Sequence, residues 1–505
     1  MNANLYTLLE SHFGEGSGTP CLLVPNGPVI HYDELAALSA RIAHALVRVG
    51  CRPGDRVAAQ VDKQWQVLAL YLACLRAGLV YLPLNTGYQK SELAYFFDDA
   101  TPRVIVCRPQ NLGLIATLSR TAMVLTLDAH GGELLDRARD APASFETVVS
   151  KPDDVAAIVY TSGTTGRSKG ATLTHRNLAS NAITLVESWG FTRSDVLLHA
   201  LPIYHVHGLF VATHCALLSG SRVLWLPKFD AKEVSSLLPM ATVMMGVPTY
   251  YTRLLAEPSF TRDAAKSLRL FISGSAPLLP ETFDAFRARS GHAILERYGM
   301  TETGMLTSNP LEGARIAGAV GKPLPGVALR VVDGSGGPCW PGTIGHVEVK
   351  GPNVFSSYWR MPERTRDEFT SDGYFKTGDM GEWVAGDESR GYLRLVGRAK
   401  DLIITGGLNV YPLEIEERID MLDGVVESAV IGVPDPDFGE AVTAVVVGAP
   451  GHELTEHEII GALKAEIAMF KVPKRVFFAE DLPRNAMGKV QKNVLREKYA
   501  APTTM

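Results

Sequence analysis

Residues 160–170 read YTSGTTGRSKG, a run of hydroxyl side chains and glycines around one lysine, Lys169. Glycines let backbone N–H groups turn inward, hydroxyls add donors, and the ammonium completes a cradle for anionic oxygens. A phosphate chain is the natural occupant, and a plain surface turn is the competing reading. The spacing is not that of a Walker A loop, because Lys169 follows Gly166 by three residues instead of one.

Three other stretches could join that chemistry. ERYGMTET (296–303) ends a strand and carries Glu302, a carboxylate suited to hold Mg²⁺ against phosphates. YFKTGDM (374–380) places Asp379 in a glycine turn, where it could accept from two ribose hydroxyls or simply close an Asx-turn. PRNAMGKVQKN (483–493) sets Lys489 after a glycine near the chain end. Alone, such a lysine is an inert surface residue; with the other stretches it becomes a candidate for binding charge.

A chain of 505 residues exceeds what one core serves, so two or more domains must position these groups. Val/Ile/Leu-rich runs (RVAAQV, VIVC, VLTL, AAIVY, VLLHALP, RVLWLP, TVMMGVP, LRLFISG) alternate with helical segments through much of the first 400 residues. That pattern predicts an α/β fold with buried, mostly parallel strands and helices on both faces. The lysine loop falls between the strand DDVAAIVY and the helix THRNLASNAITLVESW. Residues 320–395 read as antiparallel strands or a small β-barrel, and the residues after Gly397 as a compact α+β unit. The expected division is 1–397 and 398–505, joined closely at GRAKD (397–401). A net charge of −5 offers no basic excess for nucleic acid or an anionic membrane. The six cysteines are scattered without a CxxC pair, as in a reduced cytoplasmic protein, and no leader or membrane span is legible.

YTSGTTGRSKG, ERYGMTET, TGD, GRAKDLIITGGLNVYPLEIE and PRNAMGKVQK stand in the order found in the adenylate-forming enzymes, and the chain resembles that family along essentially its whole length. The resemblance implies a large N-terminal domain of stacked mixed sheets with helices and a small β-barrel, and a small mobile α+β C-terminal domain. It implies ATP and coenzyme A as substrates, with Mg²⁺. It places Thr161, Ser162, Gly163, Thr164, Thr165 and Lys169 on the β- and γ-phosphates, and Thr301 on the α-phosphate. Glu302, with Thr161, would hold the metal. Tyr298 would lie against adenine opposite the backbone of Ser275, Ala276 and Pro277, with Glu296, Arg297 and Gly299 in the same nucleotide site. Asp379 and Arg398 would take the ribose hydroxyls, with Arg394 nearby. Lys489 would bridge the substrate carboxylate and the α-phosphate. Lys400 would be the hinge, and Gly406, Gly407 and Leu408 would face the pantetheine of coenzyme A; the two glycines fit an ordinary tight turn equally well.

In this family the acyl pocket lies among PIYHVHGL, GVPTYYTRLL, SGSAPL and the residues after MTET. The whole chain, including MNANL, VYLPLNTGY, LPIYHVHGLFVA, GVPTYYTRLL, LFISGSAPLL and LPRNAMGKVQKNVLRE, is similar to the bacterial malonyl-CoA synthetase subfamily, which makes malonate or methylmalonate the expected acid. In that subfamily Arg253 binds the distal carboxylate, although a surface helix residue is what its position alone suggests. His207 and Ser275 would be second contacts and Met305 would close the pocket end. Val206 departs from the threonine expected between the two histidines. Another short-chain acyl-CoA synthetase and a non-catalytic nucleotide-binding relative are the competing readings. Arg253 opposes the first; Lys489 and Glu302 oppose the second. A peptide-synthetase adenylation domain would carry a pocket aspartate and a following carrier domain. No nucleic-acid or membrane partner is expected. The subunit is expected to be a monomer or weak dimer, with a lysine acetyltransferase acting on Lys489.

Overall fold

The computed structural model describes residues 2–13, 18–119, 121–161, 168–386, 391–405, 408–435, 438–452, 454–485 and 489–500. Two compact units emerge, Met1–Leu329 with Val349–Phe375, and Arg330–Glu348 with Lys376–Met505.

The first unit is built on two sheets. The runs VLLHALP, RVLWLP, TVMMGVP and LRLFISG give parallel strands of a nine-stranded sheet, in which Pro20–Leu23, Arg222–Trp225, Val196–His199, Val243–Gly246, Leu270–Ser273 and Leu295–Met300 follow one another as neighbours. Antiparallel strands, among them Gly304–Ser308, close its edges. A seven-stranded sheet contains Arg56–Gln60, Val80–Pro83, Val104–Cys107, Met123–Thr126 and Val155–Thr161, all paired in parallel. Helix Trp65–Arg76 is buried along nearly its whole length, which explains why LALYLACL carries no polar stripe. A cluster of Tyr251, Phe260, Phe271 and Phe286 packs one face of the larger sheet, its rings meeting at 5.0–5.2 Å.

One expectation needs correction here. The lysine loop does not join a strand directly to a helix. Lys169–Thr174 is itself a strand, antiparallel to Val155–Thr161 with Thr161 opposite Lys169, and helix His175–Ser188 starts only after it. The short run KGATLT is buried throughout, so it offers no alternation by which to read it. Thr174 caps the helix, accepting from Asn177 N–H at 3.2 Å while Asn177 Oδ1 accepts from Thr174 N–H at 2.9 Å.

In the second unit the segment read as antiparallel strands or a barrel forms a four-stranded sheet. Asp379 lies within strand Phe375–Trp383 of that sheet, not in a turn; only Gly378, at φ 73°, keeps the turn-like backbone that the sequence suggested. The remaining residues make a five-stranded sheet covered by helices Pro412–Asp420 and Glu456–Glu466, with a core that includes Ile403, Ile415, Ile419, Val442 and Ile459. Pro412 occupies the first turn of its helix, as read from sequence.

Candidate active site

Ligands of open α/β sheets gather beyond the carboxyl ends of the strands. Here the strands Val196–His199, Val243–Gly246, Leu270–Ser273 and Leu295–Met300 are consecutive neighbours, and the candidate acyl segments follow their ends: 200–207, 248–253, 274–277 and 301–305.

His207 opens a π-helical turn, His207–Ala212. That turn comes so close to the preceding loop that a Cβ on Gly208 would stand 2.1 Å from Pro202 O, so only glycine fits. His207 is 6% exposed, and its Nδ1 lies 3.3 Å from Ser275 Oγ. Burial first, and then the charge of Arg297, hold its imidazole well below the usual range, so it is neutral at pH 7. Where the Ser275 hydroxyl donates to Nδ1, the ring proton sits on Nε2, which has no partner among the described residues. Arg297, in strand Leu295–Met300, is 3% exposed, and its Nε and Nη2 are buried without a hydrogen-bond acceptor among the described residues. Burial lowers its pKa to about 10, which still leaves it charged at neutral pH. A buried guanidinium without an acceptor costs several kcal/mol. These two Arg297 donors and the imidazole N–H of His207, which feels the Arg297 charge, are groups that could take an anion.

Room for this guanidinium comes from Gly274, where a Cβ would fall 2.5 Å from Arg297 Cζ. Gly274→Ala is therefore expected to raise KM for the acid substrate by about tenfold while leaving KM for ATP nearly unchanged. Steady-state kinetics with each substrate varied in turn check this. Met305, 2% exposed, packs over Gly299: a Cβ there would meet its Cε at 2.6 Å. Both backbone polar groups of Met305 are held by Asn181 at 3.0 Å. Val206 lines a small cavity with Leu173, Asn181, Phe210 and Gly304.

Arg253 stands apart from this cluster. On helix Pro248–Ala256, Tyr251 and Leu254 face the core one turn apart, which turns Arg253 outward to an exposed position. It lines an open concavity of about 380 Å³ with Phe229, Asp230, Ala231, Ala256 and Glu257. Its charge reaches Tyr250, which stacks on Phe229 and donates to Ala200 O at 3.3 Å, just past the end of strand Val196–His199.

At the phosphate end, Ser162, Gly163, Thr164 and Thr165 lie outside the described residues. Thr161 Oγ1 donates to Lys169 O at 3.4 Å. Lys169 is buried in its strand, its Nζ 3.1 Å from Glu368 Oε1 and 4.6 Å above the Tyr358 ring. Glu302 is 6% exposed and accepts from the Tyr358 hydroxyl at 2.9 Å. Burial and the Glu302 charge keep that phenol protonated, and its donated bond steadies the carboxylate. Thr301 precedes Glu302 in the same turn, partly buried, and Tyr298 is buried in the strand before it. Ser275 holds a left-handed backbone at φ 75°, with Ala276 and Pro277 exposed after it.

Glu296 is buried in its strand. Its carboxylate accepts from Gly318 N–H at 3.2 Å, and burial pushes its pKa up to about 8. An acid raised in this way is protonated when folded and ionised when unfolded, so its contribution falls as pH climbs from about 4.5 to about 8. Glu296→Gln should therefore match the parent near pH 5 and exceed it by ~1–3 kcal/mol near pH 8.5. Denaturant melts at the two pH values read the difference.

In the second unit, Asp379 and Arg398 face each other across neighbouring strands, Nε to Oδ1 2.8 Å, and Arg398 Nη1 also donates to Thr377 O at 3.0 Å. Arg394 pairs with Glu382 at 3.4 Å. Lys400 lies in the short turn Ala399–Asp401 and Leu408 is exposed on strand Leu408–Val410. Gly406 and Gly407 fall outside the described residues. Lys489 is exposed, its N–H donating to Asn485 Oδ1 at 3.0 Å.

The sequence reading gave Arg297 to the nucleotide, and the structure sets its guanidinium against Gly274, with its charge felt by His207. The available signal was an acidic and a basic residue, Glu296 and Arg297, side by side within a strand, where the other parallel strands carry such residues only at their ends. Tyr358 and Glu368 carried no sequence signal at all.

Residues 18–359 match the AMP-binding enzyme family and residues 414–489 the AMP-binding enzyme C-terminal domain. The mitochondrial malonate–CoA ligase ACSF3 of Mus musculus is 37% identical, over 93% of this chain and 87% of its own. A feruloyl-CoA synthase of Amycolatopsis sp is 36% identical over 94% of each chain, so overall identity at this level does not select the acid. An ATP-bound MatB from Rhodopseudomonas palustris superposes with a TM-score of 0.96 at 54% identity, over 99% of both chains. The chain belongs to the AMP-binding enzymes, the adenylate-forming family whose motifs it carries in order.

Proposed function

We infer that the protein ligates malonate to coenzyme A at the expense of ATP, through malonyl adenylate, with release of pyrophosphate and then AMP. The observation that carries this reading is the buried, acceptor-free Arg297 guanidinium beside the neutral His207. A second carboxylate fills that receptor, and a monocarboxylate leaves it empty. The malonate–CoA ligase among its relatives and the MatB likeness point the same way.

In the first half-reaction one malonate carboxylate oxygen attacks the α-phosphorus of ATP and the bond to the pyrophosphate oxygen breaks. Arg297 and His207 hold the other carboxylate, with Ser275 orienting the imidazole and Met305 limiting length. Arg253, exposed on helix Pro248–Ala256, would add a second positive charge for the distal carboxylate. Thr301 and the loop 161–169 hold phosphate oxygens, Tyr298 the adenine, and Asp379 with Arg398 the ribose. Lys489 would bridge the attacking carboxylate and the α-phosphate and offset the repulsion of two anions. Glu302 and Thr161 fit Mg²⁺, a buried carboxylate and a hydroxyl being what such a cation takes when phosphates supply its other ligands; bound there, it screens phosphate charge. Among the described residues no group of three ligating side chains exists to hold a metal without phosphates. In the second half-reaction the thiol of coenzyme A loses its proton to solvent, its sulfur attacks the acyl carbon, and AMP leaves. Lys400 is the hinge between the two states, and 405–409 line the pantetheine path.

Methylmalonate shares both carboxylates and is a second candidate substrate. Malonate-dependent AMP release with coenzyme A tests the assignment directly.

A further inference from the structure

The segment that carries Lys489 is closed on itself by backbone bonds. Gln491 N–H donates to Pro483 O at 2.7 Å, Asn485 N–H to Lys489 O at 2.9 Å, and Arg484 and Val490 form an antiparallel bridge. Two carboxylates reach this loop from other elements of the same unit. Glu427, on strand Val425–Asp435, pairs with Arg484 at the first stem. Glu416, on helix Pro412–Asp420, lies 2.5 Å from Lys492 Nζ at the second. Glu416 Oε1 also accepts from Val430 N–H at 2.6 Å, which ties the helix residue to the strand beneath. The Glu416 and Glu427 side chains are 12% and 26% exposed, so these pairs are screened less than surface ones. Asp420, one turn past Glu416, feels both glutamates; burial first pushes its carboxyl up to about 7. The stems rest on a small core that includes Ala429, Ile431, Leu482, Val490 and Leu495.

We propose that Glu416 and Glu427 are positioning residues for adenylation, pinning the two stems of the loop so that Lys489 is presented in one geometry. The proposal rests on the reading of Lys489 given above. Neither glutamate touches a reacting atom. A lysine ammonium rides on a flexible four-carbon stem, so its precision comes from the backbone that bears it. With either carboxylate gone, the loop keeps its backbone bonds but loses its lateral anchor, and a displacement near 1 Å is enough to lower a rate by one to two orders of magnitude. Thioester formation does not use Lys489 and should be indifferent to the loss.

The test is Glu416→Gln, Glu427→Gln and the double variant in the full chain, each measured in both half-reactions. Malonate-dependent ATP–pyrophosphate exchange reads the first, and thioester formation from supplied malonyl adenylate and coenzyme A the second. The double variant is expected to lose exchange by roughly tenfold or more, with thioester formation within about twofold of the parent and an unchanged exchange KM for ATP. The charge-reversed pair Glu427→Arg with Arg484→Glu should recover most of the exchange that Glu427→Arg alone loses, which a loss of folded protein would not do. Exchange within about twofold of the parent in the double variant, or equal loss in both half-reactions, would overturn the proposal. Lys489→Ala runs beside them. If it keeps full exchange, the reading of Lys489 falls and the proposal falls with it; if it loses exchange while the glutamate variants do not, the proposal alone falls.

Discussion

Lys489→Ala is expected to lose malonate-dependent ATP–pyrophosphate exchange by roughly 10²–10³-fold, while thioester formation from supplied malonyl adenylate stays close to the parent rate. The size follows from the charge problem of the first step. A carboxylate must approach a triphosphate, and one ammonium placed between the two anions lowers that barrier by on the order of 3 kcal/mol. In the second step the nucleophile is sulfur and the leaving group is AMP, so an ammonium at the first position has nothing to offset. Lys489→Arg should restore little, because a planar guanidinium does not occupy the place of a compact ammonium. Equal loss in both half-reactions would mean that Lys489 supports the fold of its loop and not the chemistry.

The second large effect concerns Arg297. Arg297→Met keeps the bulk of the side chain and removes the charge. Malonate kcat/KM should fall by on the order of 10²-fold or more, KM for ATP should hardly move, and propionate should gain relative to malonate. The same variant should be more stable than the parent in the absence of substrate, by ~1–3 kcal/mol, because an acceptor-free buried charge has been replaced by apolar volume. Lower activity with higher thermal stability is a signature that a disrupted core does not produce. Arg253→Ala should act in the same direction on malonate but less strongly, since an exposed guanidinium is already solvated and gives up part of that solvation to bind. A larger effect at Arg253 than at Arg297 would place the distal carboxylate beside Arg253 and not beside Arg297.

Much of this was legible beforehand. The parallel strands could be read because each is a short apolar run bounded by turn residues, and the C-terminal unit because its strands and helices keep distinct periods. Glu302 and Lys489 stood out through the company of other motifs. Lys169 was legible as a lysine beside a glycine loop but not as a strand residue paired with Glu368, since that contact spans 199 positions. Arg253 illustrates the limit most clearly. Its distance from Pro248 gives a helix, but the direction it faces is set by Tyr251 and Leu254 entering the aromatic core. Arg297 hid for the opposite reason. Adjacent residues of a strand point to opposite faces, so Glu296 and Arg297 divide, one to Gly318 and the other to Gly274, and nothing in the local string says which faces the ligand.

The most direct measurement is AMP release with ATP and coenzyme A for malonate, methylmalonate, acetate, propionate and butyrate under one set of conditions. A second acid group that meets a desolvated guanidinium predicts malonate ahead of propionate by roughly 10³-fold or more in kcat/KM. Acetate or propionate turning over as well as malonate would contradict it, because the cation beside Gly274 would then have no anion to bind.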